Sequence, residues 1–299
     1  MLAAAAQTRA TRLSERAQEE RSRHASLDAV FEMADRDAEI GGGIIAGALA
    51  YRMFIWLLPF ALILVAGLGI AADSASESPQ KAAKSLGLAG LVSHSVASTA
   101  SNSARWYALI VGIPVLVWAT RSMLRVLIGA HRLVWTDLRA AAPRPTAGAS
   151  LRLLALVLAF WLVSTAASAA RAHSPRLGLL ASLALLVPYA GLWLLVSLRL
   201  PHRGARWKAL IPGALLFAVG VELFQLAVAY VITPWSLSRQ GTYGALGIAS
   251  ALLFGLYLFS RLVVGTAVLN ATLWEREARA AAADDARVEP PQTFDEGHL

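Results

Sequence analysis

Cysteine is absent from the chain, so disulfides, thiol nucleophiles and cysteine-ligated metal centres are all excluded. Charge is scarce too. Asp, Glu, Lys and Arg make up 15% of the residues, against roughly a quarter in an ordinary soluble domain. Histidine is thin: His24, His94, His131, His173, His202 and His298 are scattered, with no pair at metal-ligand spacing. There is no HExxH, no clustered Asp/His set, no paired catalytic carboxylates and no GxxxxGK[ST] loop. Those absences argue against metal-dependent hydrolysis and against ATP-driven pumping by this chain. A secretory leader is not expected either. From Met1 to Ile40 the chain is mixed in charge, with Arg12, Glu15, Arg16, Glu19 and Glu20 where a signal would need a short apolar core.

What the chain has in quantity is apolar surface, 57% of its residues, gathered in long runs. A helix crossing the bilayer core needs roughly 20 such residues. Six stretches meet that length: Ile44 to Ala72, Trp106 to Ala130, Leu151 to Ala170, Leu177 to Leu198, Ala209 to Ile232 and Tyr243 to Ala271. The expected fold class is therefore all-α, an integral membrane bundle of six transmembrane helices over residues 43–274. A cytoplasmic amphipathic helix is expected within residues 1–42. Residues 275–299 read as a tail that starts as a helix extension and turns acidic and disordered around Pro290-Pro291. Only Arg171 to Arg176 separate the third and fourth spans, which predicts a tight antiparallel hairpin. The Ser-rich connection from Asp73 to Arg105 fits either short surface helices or a solvated loop.

Basic residues set the orientation. Arg9, Arg12, Arg16, Arg21, Arg23, Arg36, Arg132, Arg139, Arg144, Arg152, Arg199, Arg203, Arg206, Lys208, Arg276, Arg279 and Arg287 fall on one side of the six spans. The other side holds Lys81, Lys84, Arg105, Arg171, Arg176 and Arg239. Both termini are thus expected in the cytoplasm, with the protein in a bacterial-type inner membrane. Trp106 and Trp235 at the outer ends and Trp135, Trp207 and Trp274 at the inner ends mark the same boundaries. The net charge of +8 follows this loop pattern and calls for no nucleic acid. Membrane lipids are the expected partners, no cofactor is expected, and the oligomeric state stays open.

Ionisable groups inside spans are costly and mark candidate sites. Here they are Arg52, Arg121, Arg125, Glu222 and Arg261, with Gln225 and Asn270 nearby. Span directions put the four arginines in the inner half of the membrane and Glu222 near its middle. Arg121 and Arg125 are four apart and share a helix face. Guanidinium forks suit phosphate and carboxylate, so these residues form a candidate binding site for an anionic lipid headgroup, with Glu222 as counter-charge. The plainer reading is structural: Arg125 and Arg261 snorkel to headgroups, and Arg52 or Arg121 pairs with Glu222.

Ala46-Gly47-Ala48-Leu49-Ala50-Tyr51, followed by Pro59, resembles the opening helix of the YihY/virulence factor BrkB family. Pro212-Gly213-Ala214 resembles that family's fifth-span element, and Tyr243-Gly244-Ala245-Leu246-Gly247 with Ser260, Gly265 and Asn270 its closing helix. Arg52 departs from the pattern, standing where an uncharged residue is usual. The resemblance runs from Ala34 to Trp274 and implies a six-span inner-membrane protein of envelope-integrity type. It also brings the family's old ribonuclease BN label, for which this chain shows no catalytic constellation. The readings in order are a transporter or flippase for an anionic lipid or envelope precursor, a structural envelope protein acting through partners, and last a ribonuclease. No enzyme activity is expected.

Overall fold

The computed structural model describes residues 25–74, 102–136, 145–173, 175–227 and 233–288. Among these residues every regular element is helical. They are α1 (Ala25–Glu39), α2 (Gly42–Ser74), α3 (Asn102–Val134), α4 (Ala147–His173), α5 (Pro175–Ser197), α6 (Ile211–Ala227) and α7 (Thr233–Val288), with a single 3-10 turn, Trp207–Leu210, leading into α6. Five helical stretches are long and apolar enough to cross a membrane: Gly42–Leu64, Trp106–Val134, Ala147–Ser164, Trp207–Gln225 and Ala249–Asp285. The shorter apolar stretch Leu183–Ser197 in α5 makes a sixth. Large apolar side chains point outward from these helices, among them Ile44, Leu58, Trp118, Leu162, Val187, Leu223 and Phe254. A surface of this kind is stable in hydrocarbon and unstable in water.

The ends of the chain differ in detail from the pattern read above. The helix extension after the last span is long, since α7 runs unbroken through 56 residues to Val288. Only residues 25–39 of the amino-terminal region are seen as helix. The expectations for residues 1–24, for most of the Ser-rich connection and for the end of the tail lie outside the described residues. Between α1 and α2 the chain turns in two residues. Ile40 N donates to the Arg36 carbonyl and Gly41 N to the Ala38 carbonyl, each at 3.1 Å. Gly41 holds a left-handed φ of 65°, open to glycine at no steric cost.

The membrane helices close into a ring. Each of α2 to α7 packs on the next, and α7 packs back on α2 while also touching α3. Contact between α7 and α3 makes the ring irregular, and aromatic side chains reach into its middle. Trp193 stacks on Phe217 at 4.1 Å, and Phe259 meets Phe217 and Phe224 edge-on at 5.8 and 6.1 Å. Polar bonds between helices fix the register. Trp56 Nε1 donates to Thr120 Oγ1 at 2.8 Å across α2 and α3, and Trp193 Nε1 to Thr266 Oγ1 at 3.1 Å across α5 and α7. Gln225 Nε2 reaches Ser164 Oγ at 3.1 Å and Tyr189 Oη at 2.8 Å, joining α6 to α4 and α5.

α6 crosses α7 closely at Gly213. Gly213 N donates to Asn270 Oδ1 at 2.7 Å, and Asn270 Nδ2 reaches back to the Leu210 carbonyl at 3.4 Å. A first-turn N–H of α6, which has no partner within its own helix, is thus capped from another helix. A Cβ on Gly213 would lie 2.6 Å from the Thr266 carbonyl oxygen, so only glycine fits.

Candidate functional site

The five ionisable residues singled out from the sequence fall in three places. Arg52, Arg121 and Arg125 form the first group. Trp56 meets Thr120 and Ile63 packs beside Gly112, so α2 runs antiparallel to α3, which places Arg52 level with Arg125 and Arg121 one turn further along. Among the described residues none of the three makes an ion pair, and Arg121 is held only by donating Nη2 to the Pro145 carbonyl at 3.1 Å. Arg121 and Arg125 are exposed and Arg52 is half-buried. Three cations on neighbouring helices are therefore available to an anion.

Arg261 stands apart. It donates through Nη1 and Nη2 to the two oxygens of Asp37, at 3.0 and 2.9 Å. The same Nη1 would lie 3.0 Å from a Cβ on Gly42, so the guanidinium sits at the first turn of α2. Arg52 is roughly 15 Å further along that helix by its rise. Glu222 is buried in α6, and none of the four arginines pairs with it.

A cavity of about 290 Å³ occupies the middle of the ring, with walls from all six membrane helices. None of the five candidates lines it. Helix periodicity explains why. On α3 the lining residues are Met123 and Leu127, and Arg121 and Arg125 lie about 120–160° round the helix from them. On α6 Glu222 is turned about 140° from the lining residue Phe217. Arg52 comes nearest, about 40° from Trp56 on the edge of the lining face of α2. Arg121 and Arg125 thus carry charge on the outside of a bundle whose centre is apolar, while Glu222 is buried away from the cavity.

The residues that the sequence reading missed are Asp28, Glu32 and Asp37 of α1, each paired with an arginine of α7. Asp28, Glu32 and Arg36 follow at intervals of four and face α7. Arg276 Nη1 bonds Asp28 at 2.6 Å and Glu32 at 2.8 Å, and Arg279 also bonds Glu32. Arg36 pairs with Glu275 at 2.6 Å and donates to the Val134 carbonyl at 2.6 Å, so α1, α3 and α7 meet at one side chain. Trp135 packs on Trp274 at 5.7 Å, and the Arg203 guanidinium lies 5.5 Å from the Trp274 ring. These pairs clasp α1 antiparallel to the end of α7. Alternating acids and bases were visible in both segments, but nothing in either one fixed their mutual register.

Glu32 gives the clasp a pH dependence. Partial burial pushes its carboxyl up, but hydrogen bonds from Arg279 and Arg276 outweigh this and hold it below its ordinary 4.5. A group depressed on docking stabilises the docked state above its ordinary value, and that contribution is lost as pH falls through the docked value. Spin labels on α1 and the end of α7 are expected to stay close at pH 7 and separate below about pH 4.5. Glu32→Gln should already be partly separated at pH 7, and a distance unchanged by acid in the wild type would rule out the linkage. Among the described residues no three His, Asp or Glu side chains are placed to hold a metal ion.

A chain whose regular elements among the described residues are all helical, with several apolar membrane-length helices and large apolar side chains turned outward, is a polytopic membrane protein. The family model for virulence factor BrkB matches residues 39–290, covering α2 to α7, and the chain belongs to that family. No curated protein and no solved structure matches it.

Proposed function

We propose that this BrkB-family membrane protein binds an anionic lipid or envelope precursor and moves it, as a transporter or flippase of the inner membrane. Its two termini then lie in the cytoplasm, and its loss weakens the envelope. The observation that carries the reading is the set Arg52, Arg121 and Arg125: three cations at nearly one level of α2 and α3, with no ion pair among the described residues. Cations inside apolar helices are retained at a cost and call for an anionic partner. A phosphate headgroup supplies one, and guanidinium forks bind it with two hydrogen bonds at once.

Arg261 supports the second reading, that of a structural protein. Its bidentate pair with Asp37 uses its charge to hold α1, and it is left out of the proposed headgroup site. The test is native mass spectrometry of protein released from membranes, wild type beside Arg121→Ala/Arg125→Ala. A defined anionic lipid held by the wild type and reduced at least tenfold in the variant is the expected result, equivalent to about 1.4 kcal/mol of binding. The same lipid mixture on both proteins would put the structural reading in its place.

A further inference from the structure

The central cavity has no role in headgroup binding. Its lining is made of Leu, Val, Met, Phe and Trp side chains. The only nitrogens among them are the indole N–H groups of Trp56 and Trp193, and each is already spent on a threonine hydroxyl behind the wall. Water finds no partner in such a space, and neither does a polar ligand. An engineered apolar cavity of about 150 Å³ stays dry and takes up apolar guests; this one measures about 290 Å³. Left empty, it forfeits dispersion contacts over its whole wall. Met53 and Met123 on that wall adapt to irregular guests. The medium around the bundle is itself hydrocarbon chain, and Arg52 lies beside the lining face of α2, about 40° round the helix from Trp56.

We infer that the cavity is a binding site for one linear hydrocarbon chain of a membrane lipid, the head lying toward Arg52. The position of the head rests on the function proposed above; occupation of the cavity by the chain does not. Binding proceeds by exclusion of everything that needs a hydrogen bond, so the site selects for chain and leaves the choice of head to the arginines.

Native mass spectrometry with added phosphatidylglycerol and phosphatidylethanolamine of identical long chains separates the two ideas, using the wild type, Val157→Phe and Arg121→Ala/Arg125→Ala. Val157 lines the cavity, and phenylalanine there takes up part of the space. Expected is a bound lipid lost at least tenfold in Val157→Phe. Retention of both lipids alike by the wild type, with loss of both in Val157→Phe, keeps the chain site and overturns the headgroup reading. Full retention in Val157→Phe overturns the chain site, whatever the arginine variant does. If Val157→Phe does not fold, quenching of tryptophan fluorescence by phosphatidylglycerol brominated on its chains decides. Trp193→Phe should remove a distinct part of the quenching, and quenching unchanged by that substitution sinks the proposal.

Discussion

Gly213→Ala is expected to destabilise the bundle by about 2–4 kcal/mol, lowering the midpoint of thermal unfolding in detergent by roughly 5–15 °C. The new methyl group would meet the Thr266 carbonyl oxygen at 2.6 Å. That oxygen is backbone held in the α7 hydrogen-bond ladder and has no rotamer to change. Relief therefore requires α6 to move off α7, which breaks the bond from Gly213 N to Asn270 Oδ1. Asn270→Leu attacks the same contact from the other side. It leaves a buried N–H of α6 and the Leu210 carbonyl without the side chain that meets them, at a cost of about 1–3 kcal/mol. Because both substitutions act on one crossing, the double variant should fall short of the sum. A Gly213→Ala protein that melts with the wild type would mean that α6 and α7 are not packed this closely.

Asp37→Ala is expected to free α1. The substitution takes away the carboxylate that binds Arg261 with two hydrogen bonds at 3.0 and 2.9 Å. The guanidinium stays half-covered beside Gly42. The pair is partly screened by solvent, so the loss in stability is about 1–2 kcal/mol. The local effect is larger in kind. Amide exchange in α1 should quicken at least tenfold, while α2 and the ring keep their protection. Asp37→Asn keeps the shape without the charge and should fall between the two. If α1 exchanges at the wild-type rate in Asp37→Ala, the remaining pairs at Arg36 and Arg276 suffice to hold it and Arg261 has another purpose.

Much of this architecture is legible in the chain because lipid imposes a simple rule, that every crossing element be a long apolar helix. Length and composition therefore reveal the membrane helices. The elements that carry the family resemblance prove to be packing elements: Ala46, Leu49 and Ala50 are buried on α2, and Gly213 and Asn270 meet where α6 crosses α7. The i, i+4 spacing of Arg121 and Arg125 was enough to put them on one face. What cannot be read along the chain is what faces what around the ring. Depth alone grouped Arg261 with the other arginines. Its side chain runs instead to Asp37, 224 residues away in sequence, because α7 closes the ring against α2 and α1 folds back over both. The cavity is hidden for the same reason. Its wall takes a few residues from each of six helices, none of which looks unusual in its own span.

The single helix α7 also has a mechanical meaning. It continues from the membrane ring to Val288 without a break, and from Arg261 to that end it measures roughly 40 Å by its rise. A rod of that length swings its tip by about 0.7 Å for each degree of tilt at its base. α1 is riveted along the rod and hinged to α2 through only Ile40 and Gly41. The rod, the strut and the hinge make a linkage. Tilting α2 against α7 would load the ionic pairs that join α1 to the rod.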